Sequence, residues 1–128
     1  MPQSVDRTVL IVDPDSDARA QLRATLEADG YTVIATSGGD DALSLVGNPG
    51  ITLVVTELYL GNRKSRCLLT AICTPKPHRR TKVLAYTRHA RARDRAWAAA
   101  AGADGYVLKK NGAARLLEVA GKLSRSGR

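Results

Sequence analysis

An α/β fold built on a five-stranded, doubly wound parallel sheet is what this sequence predicts, and three observations lead there. Short runs rich in Val, Ile and Leu alternate with stretches of helical spacing. One run, Leu53-Val54-Val55-Thr56-Glu57-Leu58, is apolar on both faces until it meets a carboxylate. Such a strand belongs inside a parallel sheet that helices cover on both sides. The chain has 128 residues of which 44% are hydrophobic, enough for one domain with one core.

The first strand is Thr8–Val12, β-branched and apolar, stopped by Asp13-Pro14-Asp15. Asp15 or Ser16 can cap the helix that follows, because a side-chain oxygen there accepts a free N–H of the first turn. Ala18, Leu22, Thr25 and Leu26 form its inner stripe. Gly30 supplies the stop, since it adopts a left-handed conformation without a Cβ clash. Residues 31–35 make the second strand. Asp40 and Asp41 open a short helix carrying Ala42, Leu43, Leu45 and Val46, acids that suit its positive end. Asn48-Pro49-Gly50 is a turn, and the third strand spans 51–57.

Residues 61–64 read as loop and 65–73 as a short helix with Leu68, Leu69 and Ile72 inward, ended by Pro75 and Pro77. Residues 82–86 form the fourth strand. An Ala-rich helix at 94–101 stops at Gly102, and Gly105–Leu108 is the fifth strand. Asn111 can cap the last helix, whose inner face is Ala113, Leu116, Leu117, Ala120 and Leu123. The predicted core therefore runs over about 8–123, within a single domain of 1–128. Right-handed crossovers connect the strands.

Several functions are excluded early. No apolar run approaches the ~20 residues a membrane span needs. Met1-Pro2-Gln3-Ser4-Val5-Asp6 has neither a basic nor an apolar leader region, so a cytoplasmic protein is expected. Cys67 and Cys73 lie six apart without a Cys/His cluster, which fits buried free thiols better than zinc. His78 and His89 receive no role.

Polar residues interrupt the apolar strands at telling places. Strand one ends on Asp13, strand three on Glu57, strand four on Thr87 and strand five on Lys109. In a doubly wound sheet those ends share one edge, beside the crevice where ligands bind. Two carboxylates, a hydroxyl and an ammonium can hold a cation, accept a phosphoryl group, or pair internally.

The order of these residues carries a resemblance. Val9-Leu-Ile-Val-Asp13, Leu53-Val-Val-Thr-Glu57, Val83-Leu-Ala-Tyr-Thr87 and Ala101-Gly-Ala-Asp-Gly-Tyr-Val-Leu-Lys109 resemble the receiver domain of bacterial response regulators in two-component phosphorelay signalling. The resemblance implies a flavodoxin-like sheet of strand order 2-1-3-4-5 and a signalling role without catalytic residues, so not an enzyme. In that family an Asp ending strand three takes a phosphoryl group from a histidine kinase. Two acids after strand one hold Mg²⁺, a strand-four Thr or Ser bonds the phosphoryl group, the strand-five Lys pairs with it, and a strand-five aromatic moves inward. The matching positions here are Glu57 as acceptor, Asp13 and the Tyr59 backbone carbonyl as metal ligands, and Thr87, Tyr106 and Lys109 as phosphoryl-contact and switch positions.

Three positions depart from the pattern. The acceptor is Glu57 rather than Asp, Pro14 replaces the second metal acid, and Lys110 stands where Pro usually follows the Lys. Magnesium demands near-ideal oxygen coordination and loses a carboxylate at Pro14. Glu57 is longer by one C–C step, about 1.5 Å, and a shift of about 1 Å already lowers a reaction rate on the order of 100-fold. The sequence thus predicts an atypical receiver, a pseudo-receiver working as a phosphorylation-independent interaction module without a cofactor. In the alternative, an authentic phosphoacceptor, Mg²⁺ is the cofactor.

The net charge is +8 and uneven: residues 76–95 hold eight Lys/Arg and one acid, Asp94. By resemblance, Arg88, Arg91, Arg93, Arg95 and Trp97 lie on or beside the strand-five face that binds partners. That face suits an acidic protein: a kinase, an output protein or a second copy. A basic nucleic-acid-binding or scaffold protein on the same fold is the second alternative. No helix-turn-helix or aromatic RNA-reading motif accompanies the arginines.

Overall fold

The computed structural model describes residues 7–46, 48, 50–60 and 81–126. The expected helix at 65–73, Cys67, Cys73 and His78 lie outside them. Five strands, β1 (Thr8–Val12), β2 (Thr32–Thr36), β3 (Ile51–Thr56), β4 (Lys82–Thr87) and β5 (Gly105–Leu108), form one parallel sheet in the order β2-β1-β3-β4-β5. Helices α1 (Ser16–Ala28), α2 (Gly39–Val46), α3 (Ala92–Ala101) and α4 (Gly112–Ser126) lie among them in sequence.

Strand alternation divides the core in two. Leu10, Val12, Val54, Val83 and Ala85 meet Ala42 of α2 and Ala98 of α3. Their neighbours Val9, Ile11, Val55, Leu84 and Val107 meet Leu22 and Leu26 of α1 and Leu116 and Ala120 of α4. Successive side chains point to opposite faces, so a sheet covered on both sides needs apolar residues at every strand position. Complete burial of one such Leu or Val contributes about 1.5–3 kcal/mol.

The helix ends follow from local chemistry. Asp15 caps α1, its carboxylate accepting from the N–H groups of Asp17 (2.9 Å) and Ala18 (3.3 Å). Those bonds favour the anion, and the Asp15 pKa is lowered, the bond from Ala18 being the largest cause. Gly30 (φ 97°) ends α1, and Gly102 (φ 111°) ends α3. At the second stop the N–H of Ala103 reaches Ala98 O and that of Gly102 reaches Ala99 O, a paired closure that only a left-handed residue allows readily.

Several boundaries differ from the sequence reading: β2 is shifted by one residue, β3 ends at Thr56, and α2 begins at Gly39. β4 extends one residue further, so Thr87 is its last member. Helix α3 begins at Ala92, with Arg91 in the cap position, and Asp94 turns inward instead of opening the helix. Asn111 directly precedes α4 as the last residue of a 3₁₀ turn, Lys109–Asn111, that the sequence reading did not foresee, and the chain turns at Gly112 (φ 84°).

Gly105, at the start of β5, is a close approach. A Cβ there would stand 2.5 Å from Leu84 Cδ2 and 3.3 Å from Val119 Cγ1. Leu84 is fully buried and has little room to yield. Gly105→Ala should therefore destabilise the protein by about 1–3 kcal/mol in urea unfolding; an unchanged midpoint would show that the β5–α4 packing is looser than described.

Candidate functional site

Parallel register brings the chemistry together. Val12 of β1 pairs with Thr56 of β3, so Asp13 and Glu57 are adjacent one step past the strand ends. Two further backbone bonds fix them there: Asp13 N–H donates to Thr36 O (3.1 Å) and Glu57 N–H to Val12 O (2.9 Å). On the other side Thr87 pairs with Leu108, and Lys109 follows immediately.

Lys109 is the meeting point. Its Nζ lies 2.8 Å from Asp13 Oδ2 and 3.1 Å from Glu57 Oε1. The Lys109 side chain is 15% exposed, and those of Asp13 and Glu57 are 3% and 9% exposed. The remaining carboxylate oxygens are also engaged. Asp13 Oδ1 accepts the Asp15 N–H at 2.9 Å, and Glu57 Oε2 accepts the Leu58 N–H at 2.7 Å. Burial by itself would lower the Lys109 pKa. The hydrogen bonds to Asp13 and Glu57, reinforced by both negative charges, outweigh it and hold that pKa above the ordinary lysine value.

Thr87 is completely buried at the same edge, and its Oγ1 accepts the His89 N–H at 3.3 Å. It therefore faces the β4–α3 connection, whereas Asp13, Glu57 and Lys109 form the contacting triad. Tyr106 packs against the core cluster and donates its hydroxyl to His89 O at 2.6 Å, with the Arg95 guanidinium 4.7 Å above its ring. Burial, then the nearby Asp94 charge, push its pKa to about 12.

Other contacts carried no sequence signal. Arg19 Nη1 donates to Asp13 O at 2.7 Å, and Arg88 Nη2 lies 3.8 Å from Asp15 Oδ2 across the rim. The Tyr59 hydroxyl donates to Asp94 Oδ1 at 2.6 Å, which accounts for the burial of that acid at 7% exposure. Arg88, Arg91 and Arg95 are exposed, and Trp97 is half-buried against the core.

The sheet order and the polar cluster at its carboxyl edge define a flavodoxin-like α/β domain. More narrowly, the chain belongs to the response regulator receiver domain family, whose model matches residues 9–120. It is 36% identical over 61 residues to the two-component response regulator PprB of Pseudomonas aeruginosa, a match over 47% of this chain and 22% of that protein. A Burkholderia pseudomallei response regulator, solved with a phosphorylated aspartic acid, calcium ion and citrate, is similar at 27% identity and TM-score 0.77. That match covers 87% of this chain and 64% of the other. A CheY-like receiver domain protein from Methanospirillum hungatei superposes with TM-score 0.81 at 26% identity, covering 93% and 94% of the two chains. This chain thus spans about a fifth of the length of the Pseudomonas protein and under two thirds of the Burkholderia one.

Removing Lys109 leaves two buried carboxylates side by side. Lys109→Met should lose about 3 kcal/mol in urea unfolding at neutral pH, the lower end of the range for a broken buried pair because the ammonium keeps some solvent. The sign of the pH dependence follows from the raised pKa. The contribution of Lys109 is present in full below the unfolded value of about 10.4 and disappears as pH rises through the folded value. Unfolding measured between about pH 9 and pH 12 should show a steeper alkaline loss in the parent than in the variant, where Tyr106 and Tyr86, whose pKa values are also raised, still contribute a loss of their own; a variant as stable as its parent would contradict the pairing.

Proposed function

We propose that this receiver domain signals without being phosphorylated, as a protein-interaction module whose acceptor site is closed by an internal ion pair. The observation that carries this reading is the Lys109 ammonium between Asp13 and Glu57. A protein cation sits where two acids would otherwise attract a divalent ion.

The donor set fits Mg²⁺ poorly. Pro14 offers no oxygen from its side chain, and all four oxygens of Asp13 and Glu57 already accept hydrogen bonds or face Lys109. Asp13 and the Tyr59 carbonyl would remain, one carboxylate fewer than the family pattern supplies for an ion whose other oxygens come from water. Among the described residues no group of three His, Cys, Asp or Glu is placed to hold a metal. Without an ion, an incoming phosphoryl group meets the acids unscreened, and transfer loses its main electrostatic support.

Glu57 can stand in for part of what phosphorylation does. Its longer arm reaches Lys109 while carrying one negative charge, against nearly two on a phosphate. Tyr106 lies packed inward with its hydroxyl engaged, consistent with a switch aromatic held in one arrangement. Thr87 and Lys109 keep the phosphoryl-contact positions of the family pattern. Binding to a kinase, an output protein or a second copy then falls to the β5 face, where Arg88, Arg91 and Arg95 are exposed beside Trp97. Their charge favours an acidic partner surface.

Intact-mass measurement after incubation with acetyl phosphate and Mg²⁺ tests this. The unaltered chain should gain no mass, whereas Pro14→Asp combined with Glu57→Asp should gain one phosphoryl group. Stable phosphorylation of the unaltered chain would overturn the proposal in favour of an authentic Mg²⁺-dependent phosphoacceptor. Salt-dependent binding to duplex DNA would instead support the nucleic-acid reading.

A further inference from the structure

Away from the triad, the loop after β3 and the first turns of α3 enclose two clefts of about 360 and 330 Å³ that share Tyr59, Arg93 and Asp94. Trp97 lines the first, and His89 and Arg91 line the second. Each volume lies at the small end of the range for small-molecule sites, about 300–1,000 Å³. We propose that these adjacent clefts bind a planar aromatic anion, a ring carrying a phosphate or carboxylate.

The walls dictate that chemistry. Tyr59 and Trp97 are half-buried and offer aromatic surface. His89 stands edge-on to Tyr59, with ring centroids 4.5 Å apart, which holds the Tyr59 ring in place. A flat ring gains most against such surfaces. Arg91 and Arg93 are exposed at the mouth, and among the described residues neither guanidinium forms an ion pair. A guanidinium grips phosphate or carboxylate through two parallel N–H bonds. Arg91 also occupies the cap position of α3 without a capping side-chain bond.

Asp94 argues for a cationic ligand at first sight, since an acid between two aromatic rings can cradle an ammonium group. Its charge is already addressed: Oδ1 takes the Tyr59 hydroxyl at 2.6 Å, and the group is 7% exposed. Two exposed guanidiniums outnumber it at the mouth, where a ligand first meets the protein. The balance therefore selects an anion, with Asp94 positioning Tyr59.

The protein carries its own reporter, because Trp97 is its one tryptophan. Fluorescence excited at the red edge of tryptophan absorption should show saturable quenching of Trp97 by AMP or by 4-hydroxybenzoate, the two probes separating phosphate from carboxylate sources. Adenosine and inorganic phosphate, each with half the chemistry, should bind at least about tenfold more weakly, since one charge-assisted bond or one stacked ring contributes on the order of 1.4 kcal/mol or more. Arg91→Gln with Arg93→Gln alters exposed side chains only and should weaken the binding by about tenfold or more while leaving the unfolding midpoint unchanged. Absence of saturable quenching by both probes to about 5 mM would overturn the proposal, as would equal binding by the double variant or by adenosine.

Discussion

A single ammonium group ties three strand ends of this protein together. Lys109 follows β5, Asp13 follows β1 and Glu57 follows β3, and its Nζ is within 3.1 Å of a carboxylate oxygen of each acid. Parallel register alone places the acids side by side, one residue beyond the last apolar pair. Two carboxylates so buried would repel each other strongly at low local dielectric. The lysine relieves that repulsion from within the chain, and the backbone N–H groups of Asp15 and Leu58 complete the pairing. The architecture of the edge is thus a charge problem solved with the protein's own groups.

The sheet makes that solution rigid. Both faces of β1, β3 and β4 are packed, so the residues at their ends cannot shift without disturbing a core on each side. The same rigidity places Thr87, buried at the end of β4, two residues past the Ala85–Tyr106 pair and beside the loop whose carbonyl Tyr106 engages. On the outer rim the charges are reversed. The basic run beyond Thr87 leaves Arg88, Arg91, Arg93 and Arg95 exposed, so an anionic interior edge adjoins a cationic surface. That contrast separates the ion-paired site from the surface open to other molecules.

Much of this was legible in the sequence because it rests on strong local signals. All-apolar runs predicted the five strands, and Gly30 and Gly102 marked helix ends that require a left-handed residue. The strand-terminal polar residues predicted Asp13, Glu57 and Lys109 as neighbours, since topology converts chain order into position at one edge. What stayed hidden depends on tertiary partners. Asp94 read as a helix-opening acid, yet the Tyr59 hydroxyl, 35 residues away, draws it inside. The 3₁₀ turn just ahead of α4 carried no signal either: it begins at Lys109, which is anchored in the triad. Nor does any pattern foretell that Arg19 would reach the Asp13 carbonyl. Thr87 illustrates a half-legible residue: its place at the edge follows from the strand, but the direction of its hydroxyl follows from the His89 N–H.

The most direct test of the internal cation is a Mg²⁺ titration of the unaltered chain followed by backbone amide NMR. The amides of Asp15 and Leu58 are hydrogen-bonded to the two carboxylates and would sense any ion entering between them. With Lys109 already seated there, both resonances should remain in place through millimolar Mg²⁺. Saturable movement of these two signals, with Lys109 displaced, would contradict the account.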